Sequence, residues 1–238
     1  MSSGCARMWL IPLVVVLVAF SGPSDRADAQ IRIATFTVDI TIPIGHRCMG
    51  VLPIKVRQID DPLQAIGMVL TGSGQPVVIV GLDWCEVRNE AYDLWRDTLA
   101  AAVKTSRQRV LLCSLHQHDA PVTDNGAQAW LDSVGLHGEL FDVEFQAACL
   151  ADTAAALTAA MAQSRPVTHV GVGQAEVEQV ASNRRVEHAD GSIHFDRFSR
   201  TEPGSIQASS DPGPGDPWLQ SISFWDGEEQ VAVISCYA

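Results

Sequence analysis

Two histidines one residue apart, in His116-Gln-His118, are the residues of this chain whose type and spacing point most directly to chemistry. They close the apolar run Arg109-Val-Leu-Leu-Cys-Ser-Leu and precede Asp119-Ala-Pro121, so the segment reads as a buried strand that delivers both imidazoles to its C-terminal end. Side chains at i and i+2 of a strand share a face with Cα atoms roughly 6.5 Å apart, close enough for two rings to converge on one metal ion or one reacting group. Neutral imidazole is the commonest metal ligand near neutral pH. A polar pair at such a place also marks, with no chemistry at all, the point where a core strand meets solvent, and the surrounding elements have to decide between the two.

Those elements follow from periodicity. Residues 31–42 alternate apolar and polar types and stop at Pro43 and Gly45, which predicts a half-buried strand. Residues 66–70 and 77–82 are two further apolar runs, separated by the loop Thr71-Gly-Ser-Gly-Gln-Pro76. Asp83 ends the second run, where a carboxylate can orient a metal-bound histidine, cap a helix or simply be solvated. Residues 89–104 place Ala91, Leu94, Trp95, Leu99, Ala102 and Val103 at helical spacing. Strand, helix, strand is a βαβ rhythm, in which 109–115 runs parallel to 77–82 as a central strand and Asp83 arrives beside His116. Residues 121–138 lack periodicity and predict a pocket-shaping loop, in which His137 either contacts substrate or, the safer expectation, is an exposed histidine with no role. A long helix follows over 139–161, then a strand over 167–172 and a loop rich in Gly, Pro, Ser and Asp over 188–217. The strands 219–225 and 230–236 meet at Asp226-Gly227, a hairpin signal, and the apolar 231–236 reads as a central strand covered on both faces. The fold class is α/β, with a mixed β-sheet core and packed helices.

Composition bounds the setting. Arg7, the apolar run from Trp9 to Phe20 and Ala27-Asp28-Ala29 form a secretory signal peptide over 1–29, cleaved near Ala29, so the chain is expected to be secreted or periplasmic. A net charge of −12 at pH 7 excludes nucleic acid as a partner. Cys48, Cys85, Cys113, Cys149 and Cys236 are too irregularly spaced for a disulfide framework or a zinc knuckle, which leaves room for one or two export-linked disulfides. Cys113, Cys149 and Cys236 sit in apolar periodic segments and are expected in the core.

The segment His116-Gln-His118-Asp119-Ala-Pro121 resembles the His-Thr-His-Ser-Gly-Pro segment of the neutral/alkaline, non-lysosomal ceramidases. Val38-Asp-Ile-Thr41 with Pro43 resembles that family's opening strand, Asp61-Pro-Leu63 leading into 65–70 its next block, and 77–83 the strand after it. Asn183-Arg184 resembles its Asn-Arg segment, and Asp216-Pro217 through Ala238 the hairpin that leads to its next metal histidine. The likeness covers nearly all of residues 30–238 and rests on order and spacing together rather than on any single motif. It implies the N-terminal portion of an incomplete ceramidase-like catalytic domain, a zinc-dependent hydrolase of linear amides in which the metal polarises the carbonyl and activates water. By the same resemblance His116 is a zinc ligand, His118 a hydrogen-bond donor or acid/base beside it, and Arg184 an electrostatic stabiliser. The family's remaining ligands, a second histidine, a glutamate and a tyrosine, fall beyond residue 238, so the chain by itself is expected to be inactive.

The implied substrate is N-acylsphingosine or a related N-acyl lipid, met at a membrane surface. Asp119-Ala120 stands where the family has Ser-Gly, which widens the expectation to any small lipid-like or N-acyl amide. Metallo-β-lactamase-like hydrolases use His-x-His-x-Asp-His, and here the acid follows the second histidine directly, so that spacing fails. Amidohydrolase barrels carry their His-x-His on an early strand of an eightfold repeat, whereas this one ends the fourth or fifth. The non-catalytic alternative is a secreted binding protein or remnant that keeps the fold without a working metal site.

Overall fold

Alternation of apolar and polar residues builds the first strand, β1 (Arg32–Asp39), which turns Ala34 and Phe36 into the core. The computed structural model describes residues 30–49, 54–178, 180, 184–195, 197, 201–210, 213 and 215–237; the signal segment expected over 1–29 and Asn183 lie outside the described residues. β2 (Gln64–Thr71) pairs antiparallel with the whole of β1, and β3 (Val77–Leu82) pairs antiparallel with β2. After the two-residue β4 (Glu86–Val87) comes α1 (Asn89–Ala102), which buries Ala91, Trp95, Leu99 and Ala100. β5 (Val110–Ser114) then runs parallel to β3, in register from Val78 opposite Val110 to Leu82 opposite Ser114, which is the βαβ unit read from periodicity.

Two short elements fall inside the stretch expected to be loop. β6 (Val122–Thr123) pairs parallel with β4, and α2 (Asn125–Ser133) starts where Asp124 Oδ1 accepts the N–H of Ala127 at 3.1 Å. α3 (Val143–Met161) begins four residues later than expected because Asp142 caps it, accepting the N–H groups of Glu144 at 2.9 Å and Phe145 at 3.1 Å. Beyond α3 lie β7 (Arg165–Pro166), β8 (His169–Glu176), a small hairpin of β9 (Val186–Glu187) and β10 (Ile193–His194), and one helical turn, α4 (Ile206–Ser209). The last hairpin, β11 (Trp218–Asp226) and β12 (Glu229–Cys236), turns at Gly227, whose φ of 59° is the left-handed region that glycine enters without strain.

The main sheet has the strand order β5-β3-β2-β1-β7 and the second sheet the order β12-β11-β8. One face of the main sheet is covered by α1 and α3, where Phe36, Val80, Leu82, Trp84, Trp95 and Leu157 close the larger core. The opposite face meets the second sheet through Ile33, Met68 and Phe224, flanked by Ile79 and Ile234. The architecture is therefore α/β in three layers: helices, a mixed five-stranded sheet, and an antiparallel three-stranded sheet.

Three expectations need correction. β5 lies at an edge of its sheet among the described residues, not at the centre. β12 is also an edge strand, with Glu229, Gln230, Val233, Ser235 and Cys236 exposed, because among the described residues only β11 pairs with it. Cys149 is buried, but Cys113 and Cys236 are exposed free thiols. The reason is alternation: Val110 and Leu112 face the helices, which turns Leu111 and Cys113 to the face that the second sheet covers only around Met68 and Ile79.

Candidate active site

The parallel pairing of β3 and β5 sends two chain segments off the same sheet edge side by side. Asp83, Trp84, Cys85 and Glu86 leave β3, while Leu115 to Asp119 leave β5. Two backbone bonds hold them together: the N–H of Leu115 donates to the Leu82 carbonyl at 2.9 Å, and that of His116 to the Trp84 carbonyl at 3.2 Å. Trp84 anchors the first segment, being fully buried, with its indole N–H donating to the Ile40 carbonyl at 3.1 Å and its ring edge-on to Trp95 at 5.5 Å.

The strand ends at Ser114, so the histidines are not presented by strand periodicity as expected. His116 instead takes a left-handed backbone conformation, φ 59°, which non-glycine residues adopt only where the surroundings enforce it. That turn still brings the two rings together, edge to face with centroids 5.0 Å apart. Their neighbours differ. His118 and Asp119 line an open cleft of about 810 Å³ whose other walls include Asp83, Thr41 and the segment 54–63. His116 lies against Cys85 and Glu86, with its side chain 59% exposed.

The contacts of His116 are specific. Its Nδ1 is 3.2 Å from the Cys85 carbonyl oxygen, 3.7 Å from Cys85 Sγ and 3.8 Å from Glu86 Oε1. The other carboxylate oxygen, Glu86 Oε2, pairs with the Arg88 guanidinium. Cys85, Glu86 and His116 thus offer a thiol, a carboxylate and an imidazole whose ligand atoms all lie within 4.8 Å of one another. Burial, with the Glu86 charge adding to it and Arg88 opposing, pushes the Cys85 thiol above its ordinary pKa. The donor set matches zinc chemistry, which draws on thiolate, imidazole and carboxylate alike.

Asp83 has a different task from the one weighed for it. Its Oδ2 accepts the backbone N–H of Gln64 at 2.8 Å and its own N–H donates to the Gln64 carbonyl at 2.9 Å, closing the end of the β2–β3 pair. The backbone acceptor that the His116 ring meets is the Cys85 carbonyl. Arg184 is exposed, at the foot of the β9–β10 hairpin, and is not among the residues lining the cleft. His137 is exposed with Nδ1 3.2 Å from Asp132 Oδ1. Sequence reasoning brought Asp83 and the two histidines to one edge but passed over Cys85 and Glu86. The signal for them was position alone, since they follow directly the strand whose end had been placed beside His116.

No protein-family model matches the chain, and a search of curated proteins finds no match. Solved structures do match. A ceramidase complexed with C2 superposes with a TM-score of 0.60 at 19% sequence identity, over 87% of this chain and 31% of that one. The fold is ceramidase-like. The neutral ceramidase from Pseudomonas aeruginosa superposes equally well, with a TM-score of 0.59 at 18% identity over the same shares of the two chains. This chain therefore has the fold of part of a neutral ceramidase and spans about a third of the length of these ceramidase structures.

Proposed function

We propose that the chain carries part of the active site of an exported, zinc-dependent amide-bond hydrolase acting on an N-acyl, lipid-like substrate. The observation that supports this reading is the placement of His118 and Asp119 on a cleft wall, with the His116 ring 5.0 Å from that of His118, at the sheet edge of a ceramidase-like fold. His116 is the residue that would hold the metal, a role that thiol, carboxylate and imidazole donors at this point suit chemically. A divalent zinc ion at such a site supplies Lewis acidity, polarising an amide carbonyl and lowering the pKa of water to about 7.

The chain's own residues divide the remaining work. Ile42, Ile54, Val56, Ile59 and Leu63 give the cleft an apolar lining that suits an acyl chain, while Asp60, Asp61, Lys55 and Arg57 border it with charge. His118 is placed to donate a hydrogen bond to a carbonyl oxygen or to pass a proton to the leaving amine. Arg184 belongs to the proposal as a guanidinium for developing negative charge, and would have to approach the cleft from the β9–β10 hairpin. Residues 1–29 serve as the export signal in this reading. Among the described residues no helix is long and apolar enough to cross a membrane.

The test is hydrolysis of N-acyl amides, ceramide included, by the full-length product of its gene. Activity that phenanthroline abolishes, that His118→Asn lowers by about 100-fold or more, and that zinc restores is the expected result. Activity that survives chelation would end the metal reading. That Arg184 is exposed and does not line the cleft favours the non-catalytic alternative, a secreted binding protein, which predicts acyl-lipid binding without turnover in the same assay.

A further inference from the structure

We infer that Cys113 and Cys236 form a disulfide that ties β12, at the edge of the second sheet, to β5, at the edge of the main sheet. The inference is independent of the metal and of hydrolysis, and it takes from the proposed function only the export that brings the chain to an oxidising compartment.

The strand registers place the two thiols. In the main sheet Ile79 stands opposite Leu111 and Gly81 opposite Cys113, so a step of two residues leads from the first pair to the second on one face. In the second sheet Ile222 stands opposite Ile234 and Gln220 opposite Cys236, so the same step along β12 leads from Ile234 to Cys236. Ile79 and Ile234 both pack against the cluster of Ile33, Met68 and Phe224 between the sheets. β12 enters that cluster beside β1, where Cα atoms of the two strands come within 8 Å of each other. It therefore crosses the main sheet from β1 toward β5, and the step beyond Ile234 and Ile79 brings Cys236 to Cys113. Gly81 puts no side chain in the way, and a Cβ built on it would meet only the Leu115 side chain, at 4.0 Å. Burial pushes the Cys113 thiol above its ordinary pKa, and the Cys236 sulfur adds to the rise through its charge, so the two sulfurs lie within each other's field.

The other cysteines are set apart by burial. Cys48, Cys85 and Cys149 are buried, whereas Cys113 and Cys236 are exposed free thiols that an oxidant reaches. Cys149 lies in the core on the helical side of the main sheet, where burial pushes its thiol up to about 12. A disulfide requires a Cα separation of about 4.4–6.8 Å. Among the described residues β5 and β12 are each paired on one side only, so rotation of two exposed side chains and a shift of either edge strand can close the bond. The oxidant is itself a disulfide, such as oxidised glutathione. One cysteine thiolate attacks a glutathione sulfur and releases a glutathione thiolate; the other cysteine then attacks the mixed disulfide and releases the second. Two electrons pass from the cysteine sulfurs to glutathione, and the two thiol protons end on the released glutathione. The bond closes a long loop and fastens a sheet otherwise held by a small apolar cluster and by Arg165 on Asp226 and Glu229.

The test is peptide mapping of the full-length gene product, first reduced, then freed of reductant and equilibrated with oxidised glutathione while folded, with remaining thiols alkylated before digestion. The expected result is a peptide carrying Cys113 joined to one carrying Cys236, lighter by two hydrogens than the two thiol peptides together. Cys113→Ser should leave Cys236 as a mixed disulfide with glutathione, and Cys236→Ser should do the same to Cys113. Both side chains are exposed, so neither variant disturbs the core. Oxidation should also slow deuterium uptake by the amides of β11 and β12 about tenfold or more, and should leave it unchanged in Cys113→Ser. Recovery of Cys113 and Cys236 as free thiols or as separate glutathione adducts overturns the inference, as does a bond from either to a different cysteine. A joined pair without slower exchange in β11 and β12 overturns the tie between the sheets. Neither readout involves zinc or turnover, so the chelation assay stands or falls separately.

Discussion

At the scale of single residues, His46 shows how burial sets a charge state that the fold then depends on. It is 8% exposed, its Nδ1 is 2.7 Å from the Arg47 carbonyl, and its Nε2 accepts the N–H of Asp142 at 3.1 Å, so it is neutral and helps to seat the first turn of α3. Desolvation lowers its pKa below the ordinary histidine value, with the Arg47 hydrogen bond opposing. A depressed folded-state pKa means that the unfolded chain takes up the proton first. The stability His46 contributes is therefore present above the unfolded pKa near 6.5 and is lost as pH falls through the lower folded value. Urea midpoints measured across pH 7.5 to 5 should fall, and His46→Gln should flatten that fall. An unchanged slope in the variant would remove His46 as the cause.

At the scale of elements, β1 and β2 fit tightly against each other. Phe36 stands directly opposite Gly67, and its ring lies where a Cβ on Gly67 would be. Gly67→Ala should thus destabilise the chain by about 1–3 kcal/mol through overpacking, whereas Gly74→Ala, with open space around it, should be near neutral. Equal denaturation midpoints for the two variants would refute this.

The elements also show what a sequence can convey. The βαβ unit was legible because Val77 to Leu82 and Val110 to Leu112 carry strand signals on either side of a helix with Ala91, Trp95 and Leu99 in phase. That unit alone brings Asp83 and His116 to one edge. α2 was not legible because its stability comes from two polar residues rather than an apolar stripe. One is the Asp124 cap; the other is the buried Gln128, whose Oε1 accepts the N–H groups of Leu140 at 2.9 Å and Phe141 at 3.1 Å. The pairing of His116 with Cys85 and Glu86 was hidden for a related reason. It depends on a left-handed turn at His116, which strand periodicity does not encode.

At the scale of the molecule, the two faces of the main sheet are unequally held. The helical side closes over a continuous core that includes Trp84, Trp95, Leu99 and Leu157, all fully buried. The second sheet is attached through Ile33, Met68 and Phe224, with Arg165 clasping Asp226 at 3.0 Å and Glu229 at 2.7 Å from the side of β7. Much of the apolar surface between the sheets stays in solvent: Ile66 is 54%, Leu111 51% and Val172 82% exposed. Each fully buried large apolar side chain stabilises by about 1.5–3 kcal/mol, so the helical side carries most of the folding energy. Unfolding should accordingly take place in two stages. Amides of β8, β11 and β12 are expected to exchange with deuterium well before those of β1, β2 and β3, and uniform protection across both groups would contradict this. The cleft wall of His118 and Asp119 belongs to the slowly exchanging part. A population of the reduced chain in mild denaturant that has shed its second sheet should still present that wall, so that occupation of the cleft and loss of the second sheet are separable in one chain.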